Sequence, residues 1–218
     1  MTITWLGHSA VKIEGSRTVF IDPFLSGNPR AALTVDQVDK ADAVIITHDH
    51  NDHLGDGFEI CRRTGATLFA IYEIAQAASD AGLRSESMNV GGTVTSAGVT
   101  VSLVPALHSG GRGGTAVGAV IELDNHCVYH AGDTGLTMEM QWIGEVYHPQ
   151  VAFLPIDGRF NMTPQLAARA VAWLKVARVV PIHYDTFPAI RSSPQEFQRL
   201  VGDRAQVIVL KPGESLRL

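Results

Sequence analysis

Within six positions the chain places His48, His50, Asp52 and His53, directly after the apolar run Val44-Ile45-Ile46-Thr47. Four potential ligands so close together cannot all point one way, so they read as one corner of a site for metal, with room for two ions. Neutral imidazole suits zinc, iron or nickel, and a carboxylate adds charge and can serve as ligand or base. A solvated polar turn is the plain alternative, but so many ligand-type side chains exceed what an ordinary turn carries.

Three further residues follow the same syntax of apolar strand, ligand-type side chain and small or polar loop. His108 follows Val101–Leu107 and precedes Ser109-Gly110-Gly111; Asp133 follows Tyr129-His130-Ala131-Gly132; His183 follows Val179-Val180-Pro181-Ile182. In layered α/β folds such strand ends converge on one rim. Two ions need roughly seven or eight ligand contacts. His48, His50 and His108 would give one site its imidazoles, and Asp52, His53 and His183 would build the other. Asp133 would bridge, offsetting repulsion between ions about 3.5–4 Å apart.

Other side chains fall near this rim. His8, in the break Gly7-His8-Ser9, either hydrogen-bonds substrate or a metal ligand, or simply pins the N-terminal turn. Asp22 ends an apolar strand before Pro23 and is expected to hold a ligand histidine through its other nitrogen. Arg112, in Gly110-Gly111-Arg112-Gly113-Gly114, and Arg159, beside Asp157 and Gly158, are candidate contacts for a phosphate or carboxylate. Tyr184 could donate to a substrate oxygen or act as an interfacial aromatic. His130 reads as a packed strand histidine, and His126 and His148 as surface residues.

These residues need a scaffold of strands with helices outside. Thr2–Leu6, Ala10–Ile13 and Thr18–Ile21 form a meander that stops at Asp22-Pro23. Strands at Ala43–Thr47 and Thr67–Ala70 alternate with helices near Asp56–Arg63 and Tyr72–Ala81. Strands then dominate: Arg84–Met88, Thr93–Ser96, Val99–Leu107, Ala116–Leu123 and Cys127–His130. The last third adds helices at Met138–Val146, Thr163–Leu174 and Pro194–Leu200. Its strands are Val151–Pro155, Val179–Ile182, Gln206–Leu210 and Ser215–Leu218. Thr163 is the N-cap and Pro164 the first residue of its helix. Two mixed sheets face to face, with helices outside, follow from this order. No flexible linker is visible, so residues 1–218 are read as one domain.

Composition narrows the function classes. The formal net charge is −5, and only Lys12, Lys40, Lys175 and Lys211 are lysines, so no electrostatic case for nucleic-acid binding exists. No run approaches the roughly 18 apolar residues of a membrane span. Cys61 and Cys127 read as buried free thiols. The N-terminus enters a strand without an export signal, so a cytoplasmic protein is expected.

The pattern His48-x-His50-x-Asp52-His53, then His108, Gly132-Asp133-Thr134 and His183, resembles the metallo-β-lactamase superfamily over essentially the whole chain. That resemblance implies an αββα sandwich with a two-metal centre. Trp5-Leu6-Gly7-His8-Ser9, Ile21-Asp22-Pro23-Phe24 and Pro181-Ile182-His183-Tyr184-Asp185 resemble its compact metal-dependent hydrolases, whose better understood relatives include ascorbate-6-phosphate lactonases and N-acyl-phosphatidylethanolamine phosphodiesterases. It implies hydrolysis of a small ester, lactone or phosphodiester by a metal-bridging hydroxide, and the loop arginines Arg112 and Arg159 point to an anionic one. Zinc fits first, and manganese, iron or nickel also fit. In this reading His183 is a ligand, and Asp52 orients the nucleophile or takes a proton. The alternatives are a cyclic amide hydrolase or a non-catalytic metal-containing structural or sensor protein. A homo-oligomer is inherited from the resemblance, with Ala167, Ala168, Ala170, Ala172 and Trp173 as a candidate stripe.

Overall fold

A computed structural model describes residues 1–111 and 114–218. The chain opens with strands β1 (Thr2–Gly7), β2 (Ala10–Glu14) and β3 (Thr18–Ile21), then β4 (Ala43–Ile45). Helices α1 (Asn51–Leu54) and α2 (Gly57–Thr64) lead to β5 (Thr67–Ile71), α3 (Tyr72–Asp80) and β6 (Ser85–Met88). A run of strands follows: β7 (Thr93–Ser96), β8 (Val99–Pro105), β9 (Val117–Leu123) and β10 (His126–His130). The last part comprises α4 (Glu139–Tyr147), β11 (Val151–Pro155), α5 (Pro164–Leu174), β12 (Arg178–Ile182) and α6 (Pro194–Val201). Two short strands, β13 (Gln206–Val207) and β14 (Ser215–Arg217), finish it.

The strands form two seven-stranded sheets, ordered β14-β1-β2-β3-β4-β5-β6 and β13-β12-β11-β10-β9-β8-β7. In the first sheet β14, β1, β2 and β3 pair antiparallel, and β3 to β6 pair parallel. The second repeats the plan: β7 to β10 antiparallel, β10 to β13 parallel. This is the αββα sandwich expected from the strand–helix order. The parallel strands β4, β5 and β11 are buried at every residue, as a sheet covered on both faces requires. Ile13, Phe20, Phe69, Tyr129 and Phe153 are all at most 1% exposed and belong to one hydrophobic cluster.

Local chemistry explains the element ends. The Thr163 side chain accepts from Leu166 N–H, Pro164 opens α5, and Lys175 closes it in the left-handed conformation. Asp124-Asn125, both at positive φ, turn β9 into β10. The strand expected over Gln206–Leu210 covers only Gln206–Val207. Beyond it the chain must cross to the first sheet, where Gly213 N–H bonds Trp5 O and Trp5 N–H bonds Glu214 O. Of the alanine-rich stripe on α5, Ala167, Ala168 and Ala170 are buried within the chain, while Ala172 is exposed and Trp173 half-buried. Cys61 and Cys127 are free thiols, Cys61 buried as expected and Cys127 only half-buried. Among the described residues, no helix is long and apolar enough to cross a membrane.

Candidate metal centre

The site forms where strand ends from both sheets meet. Asp22 follows β3, His48 to His53 follow β4 and run through α1, and His108 follows β8. Asp133 follows β10, Asp157 follows β11 and His183 follows β12. Non-glycine residues at positive φ gather here: His8 (56°), Asp22 (45°), His183 (55°) and Asp185 (57°). Such conformations cost free energy and persist where surrounding bonds over-determine them. Gly132, at φ 60°, lets the Asp133 loop approach β4, since a Cβ there would meet Val117 O at 2.7 Å and Thr47 Cβ at 2.9 Å.

Asp22 is fully buried and anchors two ligand candidates. Its Oδ1 accepts from Thr47 N–H (2.8 Å); its Oδ2 accepts from Thr47 Oγ1 (2.7 Å) and from His53 Nδ1 (2.7 Å). Because the Thr47 hydroxyl donates to Asp22, it can only accept from His48 Nδ1 (3.1 Å). That assigns the His48 proton to Nδ1 and leaves a lone pair on Nε2, which faces His50 Nδ1 at 2.9 Å. The same reasoning protonates His53 at Nδ1 and turns its Nε2 toward Asp133 Oδ1, 3.3 Å away.

Asp133 reaches both histidine sets. Its Oδ1 faces His53, while its Oδ2 lies 3.2 Å from His183 Nε2 and 3.6 Å from His108 Nε2. His183 Nε2 is also 3.8 Å from Asp52 Oδ2. Donor atoms fall into three groups, each within 4.8 Å internally: His8, Asp52, His53 and His183; His48, His50 and His108; and His48, His53 and Asp133. All seven predicted ligands are therefore brought together, and His8 joins them.

His8 is fully buried, with Nε2 3.1 Å from Asp52 Oδ2 and Nδ1 2.9 Å from Thr186 Oγ1. Burial, reinforced by His183, pushes its pKa down to about 4, so the ring is neutral. A neutral ring that donates to the carboxylate from Nε2 accepts the Thr186 hydroxyl at Nδ1. Of the roles open to His8, the structure shows a bond to a candidate ligand, and the residue is also pinned within its turn.

Burial likewise takes His48 down to about 3, with His53 adding to the effect. His53 moves to about 10: burial opposes protonation, but Asp133 and Asp22 outweigh it. His183 is raised in the same way, chiefly by Asp133. Burial would raise Asp52 and Asp133, yet His183 and His8 hold Asp52 well below the carboxylate range, and His53 and His183 do so for Asp133. Buried charge is thus compensated between carboxylates and imidazoles. His53 Nε2, His183 Nε2 and Asp133 Oδ1 are buried without a hydrogen-bond partner among the described residues. Buried polar atoms are rarely left so, and nitrogen and carboxylate donors converging at this spacing fit divalent cations.

The remaining expectations divide. Tyr184 is 7% exposed and stacks on Trp5 with centroids 5.6 Å apart, a packing role beneath the rim. Arg159 is exposed, with its guanidinium 5.4 Å from the Phe160 ring centroid. Arg112 lies outside the described residues. His130 donates to Ser9 O, accepts from Gly132 N–H and stacks on Phe153, so it is structurally satisfied. Asp157 was missed: its Oδ2 lies 3.1 Å from His183 Nδ1. It follows the apolar strand β11, the same syntax that marked Asp133. Two open clefts, of about 680 and 790 Å³, lie at the other ends of the strands and share no residue with the histidine cluster.

Residues 17–184 match the beta-lactamase superfamily domain, in keeping with the sandwich and the donor cluster at its rim. A UPF0173 metal-dependent hydrolase from Methanopyrus kandleri is 51% identical over 228 residues, covering 99% of both chains. Another from Thermococcus onnurineus is 48% identical with the same coverage. Igni18, a metallo hydrolase from Ignicoccus hospitalis, superposes with a TM-score of 0.93 at 42% identity, covering 99% of this chain and 97% of that one. The isothiocyanate hydrolase from Delia radicum gut bacteria shares the fold, with a TM-score of 0.78 at 17% identity over 100% of this chain and 99% of its own. The chain belongs to the metallo-β-lactamase superfamily and, within it, to the UPF0173 metal-dependent hydrolases.

Proposed function

We propose that this hydrolase, acting as one domain over residues 1–218, cleaves a small ester, lactone or phosphodiester with two divalent cations, zinc first among them. The observation that carries the reading is the convergence of His53 Nε2, His183 Nε2 and Asp133 Oδ1, all buried and without hydrogen-bond partners among the described residues. His48, His50 and His108 would hold one ion and Asp52, His53 and His183 the other. Asp133 faces both sets. When bound, the ions supply Lewis acidity, which lowers the pKa of water toward neutrality and polarises a carbonyl or phosphoryl oxygen.

The protein's own contribution is positioning and charge. Asp22 and Thr47 fix the orientations of His53 and His48. Asp52, held ionised, is neither an acid in its resting state nor a strong base; His8 Nε2 fixes one oxygen and leaves the other to orient an attacking water by accepting its hydrogen bond. His183, facing Asp133, Asp52 and Asp157, serves as a ligand.

The loops around the cluster present both polar and apolar groups to the non-reacting part of the substrate. Arg159 supports an anionic group, and the exposed Leu107, Met138, Phe160 and Phe187 offer apolar contact. A panel of neutral and phosphorylated lactones, phosphodiesters and simple amides tests the reading. Chelator-sensitive turnover of a lactone, ester or phosphodiester is expected. Turnover confined to amides would favour cyclic amide hydrolysis.

A further inference from the structure

The two donor sets have unlike surroundings. His53 is fully buried and its Nδ1 donates to the Asp22 carboxylate at 2.7 Å. His183 is 2% exposed, and its Nδ1 lies 3.1 Å from Asp157 Oδ2. That contact lacks the alignment of a hydrogen bond, and the nitrogen has no other partner among the described residues. Asp157 is itself fixed: Oδ1 accepts from Arg159 N–H (2.9 Å) and Phe160 N–H (2.7 Å), and Oδ2 accepts from Asn161 Nδ2 (2.7 Å). Two more carboxylates, Asp52 and Asp133, face the same pair of rings. Four acidic groups therefore surround two buried imidazoles.

The other set is poorer in charge and more open. His48 Nδ1 meets a neutral hydroxyl, and the set meets a carboxylate through His108, whose Nε2 lies 3.6 Å from the shared Asp133 Oδ2. His50 and His108 are partly exposed. A carboxylate behind a ligand imidazole fixes its tautomer and raises its basicity, and loss of such a partner typically weakens metal binding about 10- to 100-fold. Asp133 is shared, so a cation that neutralises it from one side leaves less charge for the second.

We propose that the two sites load in order. The cation held by Asp52, His53, Asp133 and His183 binds first and more tightly, and the one held by His48, His50 and His108 is the exchangeable ion. Asp157 is the positioning residue that sets this difference by holding His183. The proposal rests on the two-ion reading above.

Chelator competition with Zn²⁺ at equilibrium, on the full chain, tests it without reference to turnover. Wild type is expected to show two classes of site, separated by about tenfold or more. His108→Ala should remove the weaker class and keep the tighter one. Asp157→Asn, whose Oδ1 can keep the loop bonds, should weaken the tighter class about 10- to 100-fold and narrow the gap. Loss of the tighter class in His108→Ala, or two ions of equal affinity in wild type, would overturn the order. An unchanged tight class in folded Asp157→Asn would overturn the role of Asp157. The His108→Ala result decides the order even if Asp157→Asn fails to fold. One ion per chain in wild type would overturn the two-ion reading, and the order with it.

Discussion

The backbone N–H of His183 donates to the carbonyl of His8 at 3.0 Å, and the two imidazoles lie 4.0 Å apart. Both residues adopt positive φ, 56° for His8 and 55° for His183. His8 belongs to the corner between β1 and β2, whereas His183 ends β12 of the opposite sheet. The bond therefore joins the two sheets at the metal centre. Trp5 strengthens the joint, donating from Nε1 to the same His8 carbonyl (2.9 Å) and stacking on Tyr184. A strained corner held from both sides keeps the His8 ring against Asp52 and gives His183 a fixed origin.

His8→Asn tests that joint, because asparagine tolerates positive φ better than most residues but is too short to replace the ring. We expect metal content to be retained and turnover to fall about 10- to 100-fold, the usual effect of losing a partner that orients a ligand. Elemental analysis beside steady-state kinetics separates the outcomes. Wild-type turnover would leave His8 as a pin of the turn and nothing more.

Asp22→Asn should be costlier to the fold. It leaves His53 Nδ1 and Thr47 facing a weaker, neutral partner at a fully buried position, a loss of about 2–3 kcal/mol. Metal affinity should fall about 10- to 100-fold. Urea denaturation and metal titration measure the two effects, and a variant as stable as wild type would contradict the anchoring role.

Much of this centre was legible because ligands end apolar strands. The spacing His48-x-His50-x-Asp52-His53 places its residues at the one point where β4 runs into α1, and His108, Asp133 and His183 obey the same rule. Asp157 obeys it as well, yet Gly158-Arg159 drew attention to a cation instead of the carboxylate. Thr186 and Thr47 were invisible for another reason. Their roles depend on which proton each hydroxyl donates, and only the packed geometry determines that. Tyr184 beside His183 looked available to substrate, but one position along a strand end turns a side chain to the other face, here onto Trp5. The Gln206–Leu210 strand was overextended because hydrophobic alternation cannot reveal that the chain must leave one sheet to pair β14 with β1.

Burial pushes the thiols of Cys61 and Cys127 up to about 12 from an ordinary value of 9.0, and raises the Tyr129 hydroxyl as well. Groups that hold protons more tightly when folded stabilise the protein fully below their unfolded pKa. That stabilisation is lost as pH climbs from about 9 through about 12. Denaturation midpoints should therefore decline above about pH 9, less steeply in Cys61→Ala. A midpoint that stays flat to about pH 11 would contradict the burial of these groups.

Arg159→Ala should lower the preference for phosphorylated over neutral lactones by about tenfold or less, since its guanidinium is exposed and screened. Metal content should not change. The ratio of kcat/KM values for a matched pair of substrates is the readout, and an unchanged ratio would remove Arg159 from substrate recognition.

A two-ion centre fixes the number of ions each chain retains. Elemental analysis after reconstitution and removal of free metal should find about two divalent ions per chain, falling in Asp133→Asn, which loses the carboxylate facing both histidine sets. About one ion per chain or fewer at saturation would contradict the assignment of these residues as a binuclear centre.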